Sequence, residues 1–140
     1  MIKVEEYSDK YKKEIIDLIL NIQNNEFNIA ITSDQQPDLR NIKGYYQKGC
    51  GNFWVAVKSG KVIGTISLID IGDNQAALRK MFVHQDYRGS THNTAKILLS
   101  KLLEWSKFKS VKEIYLGTTS KFLAAHKFYE KNQFIEVNKS

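Results

Sequence analysis

Apolar and polar residues alternate from Ile2 to Tyr7, the period of a half-buried strand. Ser8 or Asp9 then offers a helix cap, and Tyr11, Ile15, Leu18, Ile19 and Ile22 recur at helical spacing. The pattern weakens between Asn24 and Gly51, where one short helix is predicted over Asp38–Gln47, just after the only proline, Pro37. Phe53–Val57 and Val62–Leu68 are strand-like runs joined by Lys58-Ser59-Gly60-Lys61, with Gly60 placed to take the positive φ of a tight hairpin. A second turn is predicted over Asp70–Asn74, and another strand over Gln75–Val83. From Thr94 to Lys109, residues Ala95, Leu98, Leu99, Leu102, Leu103 and Trp105 make a broad apolar stripe. Glu113–Gly117 reads as a strand, and Ser120–Asn132 as a helix with Phe122, Ala125, Phe128 and Tyr129 on its inner face.

The first half is thus an antiparallel meander and the second alternates strands with helices, which implies an α/β (α+β) mixed sheet. Strand-helix-strand connectivity makes the strands at 78–83 and 113–117 parallel. Ligands of such sheets bind beyond the carboxyl ends of the strands, here Val83–Arg88 and Gly117–Ser120. No repeat, low-complexity tract or linker divides the chain, so residues 1–140 are expected to form a single domain.

Charge narrows the function classes. Residues 1–78 carry 9 basic and 10 acidic side chains, whereas residues 79–140 carry 12 and 5, which points to an anionic partner near the second half. A phosphorylated cofactor and a nucleic acid both satisfy that charge. No nucleic-acid-binding signature accompanies it, and the nucleic-acid reading ranks last. No apolar run is long enough to span a bilayer and the N-terminus has no signal-peptide core. Cys50 stands alone, so no internal disulfide forms and a cytoplasmic location is expected.

The run Leu78-Arg79-Lys80-Met81-Phe82-Val83, followed by Arg88-Gly89, a polar loop, an amphipathic helix, the strand at 113–117 and a helix bearing Ala125 and Tyr129, resembles the core of the GNAT N-acetyltransferases. The resemblance covers the C-terminal half in detail and the rest in outline. It implies acetyl-CoA as cosubstrate and acetyl transfer to a primary amine by direct attack in a ternary complex. In that family a loop of the form Arg/Gln-x-x-Gly-x-Gly/Ala holds the pyrophosphate at a helix N-terminus. Arg88 and Gly89 match its opening. Ser90, Thr91, His92, Asn93 and Thr94 precede Ala95, so Asn93 and Ala95 take the places of the two small residues after a two-residue insertion. Asn tolerates positive φ, so Asn93 can preserve the turn, and Ser90, Thr91 and Thr94 can donate hydroxyl hydrogen bonds to phosphate.

The resemblance further assigns the main chain of Met81, Phe82 and Val83 to the pantetheine arm. Tyr129 matches the tyrosine that faces the CoA sulfur as general acid, with Phe122 and Gln133 departing from the usual neighbours. A phenol, with pKa about 10, stays protonated where a thiol of about 8.5 does not. No general base is assigned, because the fourth strand offers Arg79 and Lys80 where relatives carry a carboxylate. Glu26, Asp34 and Asp38 could attract a cationic amine. His84, His92 and His126 lack metal-ligand spacing and read as surface residues, so no metal is expected. Cys50 lacks a paired histidine and is a poor nucleophile.

The competing reading is a CoA-binding regulatory module with weak or no catalysis. The resemblance implies a further strand after the one beginning at Phe134, inserted between it and the strand at 113–117. A sequence ending at Ser140 is expected to stop too soon to form it. Either Glu113–Gly117 pairs directly with Phe134–Val137, or a homodimer partner covers that edge.

Overall fold

The structure, a computed structural model, describes residues 1–26, 28–89 and 92–116. Its strands are β1 (Lys3–Glu6), β2 (Asn52–Lys58), β3 (Lys61–Gly72), β4 (Gln75–Val83) and β5 (Glu113–Leu116), in one sheet of order β1-β2-β3-β4-β5. The first three pairings are antiparallel and β4–β5 is parallel, with Gln75 opposite Glu113 and Leu78 opposite Leu116. Two tight turns build the meander. Ser59 and Gly60 have φ of 52° and 76°, and Asp73 and Asn74 have 54° and 59°, so both central residues of each turn are left-handed. That backbone follows the right-handed twist of the flanking strands. The second turn is therefore two residues, narrower than the span predicted, and Asp70 stays within β3. Its carboxylate accepts from the Cys50 and Gly72 amides at 3.1 and 2.8 Å.

Helix α1 (Lys12–Asn21) follows a single 3₁₀ turn at Asp9–Tyr11. Neither predicted side-chain cap is made. The Ser8 carbonyl accepts from the Tyr11 amide, and the Asp9 carboxylate is occupied by the Tyr7 hydroxyl at 3.0 Å. The C-terminal end of α1 widens into a π turn over Ile22–Glu26. The single helix predicted over 38–47 is two, α2 (Pro37–Arg40) and α3 (Ile42–Tyr46). Asn41 breaks them, because its side chain accepts from the Gly44 amide at 3.2 Å and caps the second.

Two cores sandwich the sheet. Phe53, Val55 and Val57 of β2 pack with Ile15, Ile19, Leu39, Ile42 and Tyr46 beneath α1–α3. Trp54 and Ala56 point the other way, toward α4 (Thr94–Phe108), with Leu98, Leu99 and Leu102. Complete burial of one such side chain stabilises the fold by about 1.5–3 kcal/mol. Leu103, placed in the stripe by periodicity, is instead exposed. Trp54 and Trp105 meet edge to face at 5.9 Å, and the Trp105 indole donates to the Cys50 carbonyl at 3.0 Å.

A bulge in β4 changes what that strand presents. Thr65 lies opposite Phe82 and Ser67 opposite Arg79, so Ile66 faces two residues, Lys80 and Met81. Lys80 sits at φ 52°. Ala76 and Leu78 face α4, and uninterrupted alternation would send Lys80 and Phe82 there too. The inserted residue reverses this, so that Met81 and Val83 join the α4 core while Phe82 packs on the α1 core. The bulge is tied down by hydroxyls, Thr65 donating to the Lys80 carbonyl and Ser67 to the Arg79 carbonyl, both at 2.7 Å.

Candidate functional site

At the carboxyl end of β4, the His84 amide donates to the Ile63 carbonyl at 2.8 Å. Opposed residues of an antiparallel ladder alternate between bonding each other and facing outward. Val83, one residue back, therefore turns its amide and carbonyl away from β3, toward the side where β5 runs. Phe82, two residues back, aims its own at Thr65. Of the three backbones expected to line a pantetheine arm, that of Phe82 is committed to the sheet and that of Val83 faces out. The Val83 carbonyl accepts from Arg88 Nε at 2.8 Å, and the rest of that guanidinium grips Glu26, with Nη1 at 2.7 Å and Nη2 at 3.0 Å.

The loop from Arg88 closes on itself. Gly89, at φ 90°, offers its carbonyl to the amides of His92 and Asn93 at 3.3 and 3.0 Å. Asn93 adopts the left-handed conformation expected of it, φ 53°, and its carbonyl accepts the Ile97 amide as α4 begins. Its side chain makes no cap. The first-turn amides of α4 thus have no cap from Asn93, the arrangement that favours an anion at a helix N-terminus. That geometry fits a pyrophosphate. Thr94 does not take the role expected of it. It is buried, and its hydroxyl proton goes to the Tyr87 carbonyl at 2.8 Å. His84 and His92 are half-buried rather than at the surface, because both rings pack edge to face on Tyr87 at 5.7 and 5.5 Å. Ala95, also half-buried, packs on the α4 core. Ser90, Thr91, His126, Tyr129, Gly117–Ser120 and the strand expected from Phe134 lie outside the described residues.

Across β4, on the α1 side, lies a polar cluster that sequence reasoning missed. Gln23, brought inward at the π turn, and Gln36 exchange amide hydrogen bonds at 2.8 and 3.2 Å, and both are buried. Lys80 Nζ donates to Gln36 Oε1 at 2.6 Å and lies 3.5 Å from Asp38 Oδ2. That same oxygen accepts from the Tyr46 hydroxyl at 2.5 Å. Burial pushes the Lys80 ammonium below its ordinary value, with Asp38 opposing and Arg79 adding to the fall. Burial, reinforced by Asp38, raises Tyr46 well beyond the usual phenol range. Only the bulge brings Lys80 to this face, and no residue type in β4 announces a bulge.

Glu26, Asp34 and Asp38, expected to draw a cationic amine, each already face a cation of this chain: Arg88, Arg40 and Lys80. Their charge is locally offset. Burial and the neighbouring Asp70 raise the Cys50 thiol, consistent with an inert cysteine. An open hollow of about 570 Å³ lies elsewhere, lined by Lys3, Lys10, Tyr11, Glu14 and Gly60, and contains no residue of either cluster. Among the described residues, no helix is long and apolar enough to cross a membrane.

Comparison with known proteins bears on the family and the fold. Residues 16–134 match the family model described as the acetyltransferase (GNAT) family. N-acetylaspartate synthetase of Xenopus tropicalis is 42% identical over 102 residues, covering 71% of this chain and 37% of that protein. The human N-acetylaspartate synthetase is 37% identical over 105 residues, covering 74% and 34%. The chain therefore spans just over a third of the length of these curated relatives. Among solved structures, a GNAT-family acetyltransferase from Staphylococcus aureus Mu50 superposes with a TM-score of 0.95 at 44% identity, covering 99% of this chain and 87% of that one. The PaiA N-acetyltransferase of Thermoplasma acidophilum, solved with coenzyme A, shares the fold, with a TM-score of 0.78 at 18% identity and coverage of 100% and 93%.

Proposed function

This chain belongs to the acetyltransferase (GNAT) family, and from that premise we propose that it transfers the acetyl group of acetyl-CoA to a primary amine by direct attack in a ternary complex. The observation that carries the reading is the meeting, at one end of β4, of an outward-facing Val83 backbone and a helix N-terminus opened by a left-handed Asn93. When bound, acetyl-CoA supplies an acyl carbon activated as a thioester. The rest is the work of the chain. The first-turn amides of α4 hold the pyrophosphate, with Gly89 and His92 shaping the loop, and Ser90 and Thr91 are assigned to the same loop. Met81 and Val83 face the pantetheine. Arg88 organises this loop through Val83 and Glu26 and does not serve as a free phosphate ligand. Tyr129 is assigned the proton that the departing thiolate takes up: the amine nitrogen bonds to the acyl carbon as the carbon–sulfur bond breaks, the sulfur leaves as a thiol, and the proton shed by the nitrogen passes through solvent to restore the phenol.

The test measures thiol release and the mass of the acetylated product across a panel of amines, with thermal unfolding recorded against CoA concentration. Aspartate heads the panel because relatives bear the name N-acetylaspartate synthetase. Amine-dependent thiol release with matching product supports the enzyme. CoA-dependent stabilisation with no turnover on any amine would favour the CoA-binding module instead.

A further inference from the structure

Lys80 combines two unfavourable features at one position. A lysine at φ 52° carries backbone strain, and its ammonium is taken largely out of water. Its side chain is only 15% exposed and that of Asp38 19%. A lysine serving solubility would do neither. Arg79, the residue before it, faces the same side of the sheet and is exposed, close enough for its charge to act on both Lys80 and Tyr46. Among the described residues no carboxylate lies within ion-pair distance of Arg79. The bulge thus sets two cations on one face of the strand, of which Lys80 alone has a carboxylate, Asp38, at ion-pair distance. The surplus is positive, and it lies three and four residues before Val83, the proposed acyl site.

We infer that Arg79 and Lys80 form a subsite for a carboxylate of the acceptor, so that the substrate is an amine bearing acidic groups rather than a polyamine or another cationic amine. The inference rests on the acetyltransferase reading above. Gln36 accepts one ammonium proton of Lys80 and Asp38 lies 3.5 Å away as its ion-pair partner, which together fix its direction and leave donor capacity for the ligand. Arg79 supplies the planar fork that pairs a carboxylate through two hydrogen bonds. The carboxylate anchors the acceptor on the α1 side of β4, and its amine extends toward Val83. Lys80 and Arg79 bind, and neither needs to move a proton.

The experiment compares three amines on the full chain: aspartate, the diamide of aspartate, and a diamine of similar length. Each is run against native protein, Arg79→Gln and Lys80→Met. Arg79 is exposed, so its variant folds, and CoA-dependent stabilisation confirms folding for both. Native protein should acetylate aspartate best. Arg79→Gln should raise the KM for aspartate about tenfold, leave kcat within about twofold, and leave the KM for acetyl-CoA unchanged. Its effect on the diamide should be negligible. Equal use of all three amines, or an unmoved KM in Arg79→Gln, overturns the subsite. Absence of acetyl-CoA turnover with every amine would sink the enzyme reading separately. Calorimetric titration of aspartate into the CoA-bound protein then decides the subsite, with Arg79-dependent binding supporting it and no binding overturning it.

Discussion

Arg88 and Glu26, 62 residues apart in the chain, meet through two parallel guanidinium–carboxylate contacts. The pair fastens the loop before α4 to the end of α1, and so joins the proposed cofactor side of β4 to the proposed acceptor side. Arg88→Lys keeps the charge but loses both the fork and the Nε bond to Val83. The pair is partly exposed, so melting temperature should move little, by the equivalent of about 1 kcal/mol or less. The apparent Kd for CoA, read from thermal shift, should rise about tenfold. A lysine variant with native affinity would show that charge alone suffices.

At Asn93, the left-handed backbone sets the direction in which α4 begins. A valine there meets a steric penalty of roughly 1–2 kcal/mol, while glycine meets none. Asn93→Val should lower both stability and CoA response, and Asn93→Gly should keep both. Denaturant unfolding with and without CoA measures the contrast.

Gly64 lets α4 lie close on the sheet. A Cβ at this position would come within 3.0 Å of Leu98 Cδ1, 3.2 Å of the Phe82 carbonyl and 3.4 Å of Thr94 Cγ2. Gly64→Ala should therefore destabilise the fold by about 1–3 kcal/mol as the start of α4 is pushed outward. CoA affinity should fall with it, whereas a distant surface change would leave affinity alone.

Tyr7 gives a pH signature. Burial, with the hydrogen bond to Asp9 and that carboxylate's charge, raises its pKa from 10.0 to about 12. The folded state thus keeps the phenol neutral where the unfolded chain ionises. Its contribution is complete below pH 10 and is lost as pH rises toward about 12. Tyr7→Phe should show a shallower fall of melting temperature over that window than the native protein. Identical slopes would remove Tyr7 from the alkaline transition.

For Tyr129 the expectation rests on the family pattern. Tyr129→Phe should lower kcat while leaving CoA binding and melting temperature near native, because only the proton donor is removed. An unchanged rate across several pH values would return the residue to a packing role.

The antiparallel meander and the apolar faces of its strands and helices were legible because period 2 and period 3.6 are stated directly by residues such as Phe53, Val55, Val57 and Leu98, Leu102. Asn93 was legible too, since few residues other than glycine accept its φ. Three features were hidden for a common reason: each depends on a partner that no local period states, from six residues away in the chain to 62. Thr94 looked like a phosphate donor until Tyr87 was found to take its proton. Glu26, Asp34 and Asp38 looked like free acids until Arg88, Arg40 and Lys80 came opposite them. The bulge at Lys80 depends on how β4 registers against Thr65 and Ser67, which no local propensity sets.

Both tryptophans of the chain, Trp54 and Trp105, sit ring against ring across the boundary between the sheet and α4. Intrinsic tryptophan emission is therefore an optical gauge of one seam alone. It would follow α4 lifting from β2 or settling as its N-terminus takes up a ligand, and would stay dark to movements of α1–α3. A labelled protein is unnecessary for watching the cofactor side of this molecule in solution, and a silent signal during acceptor binding would mean only that the other face is at work.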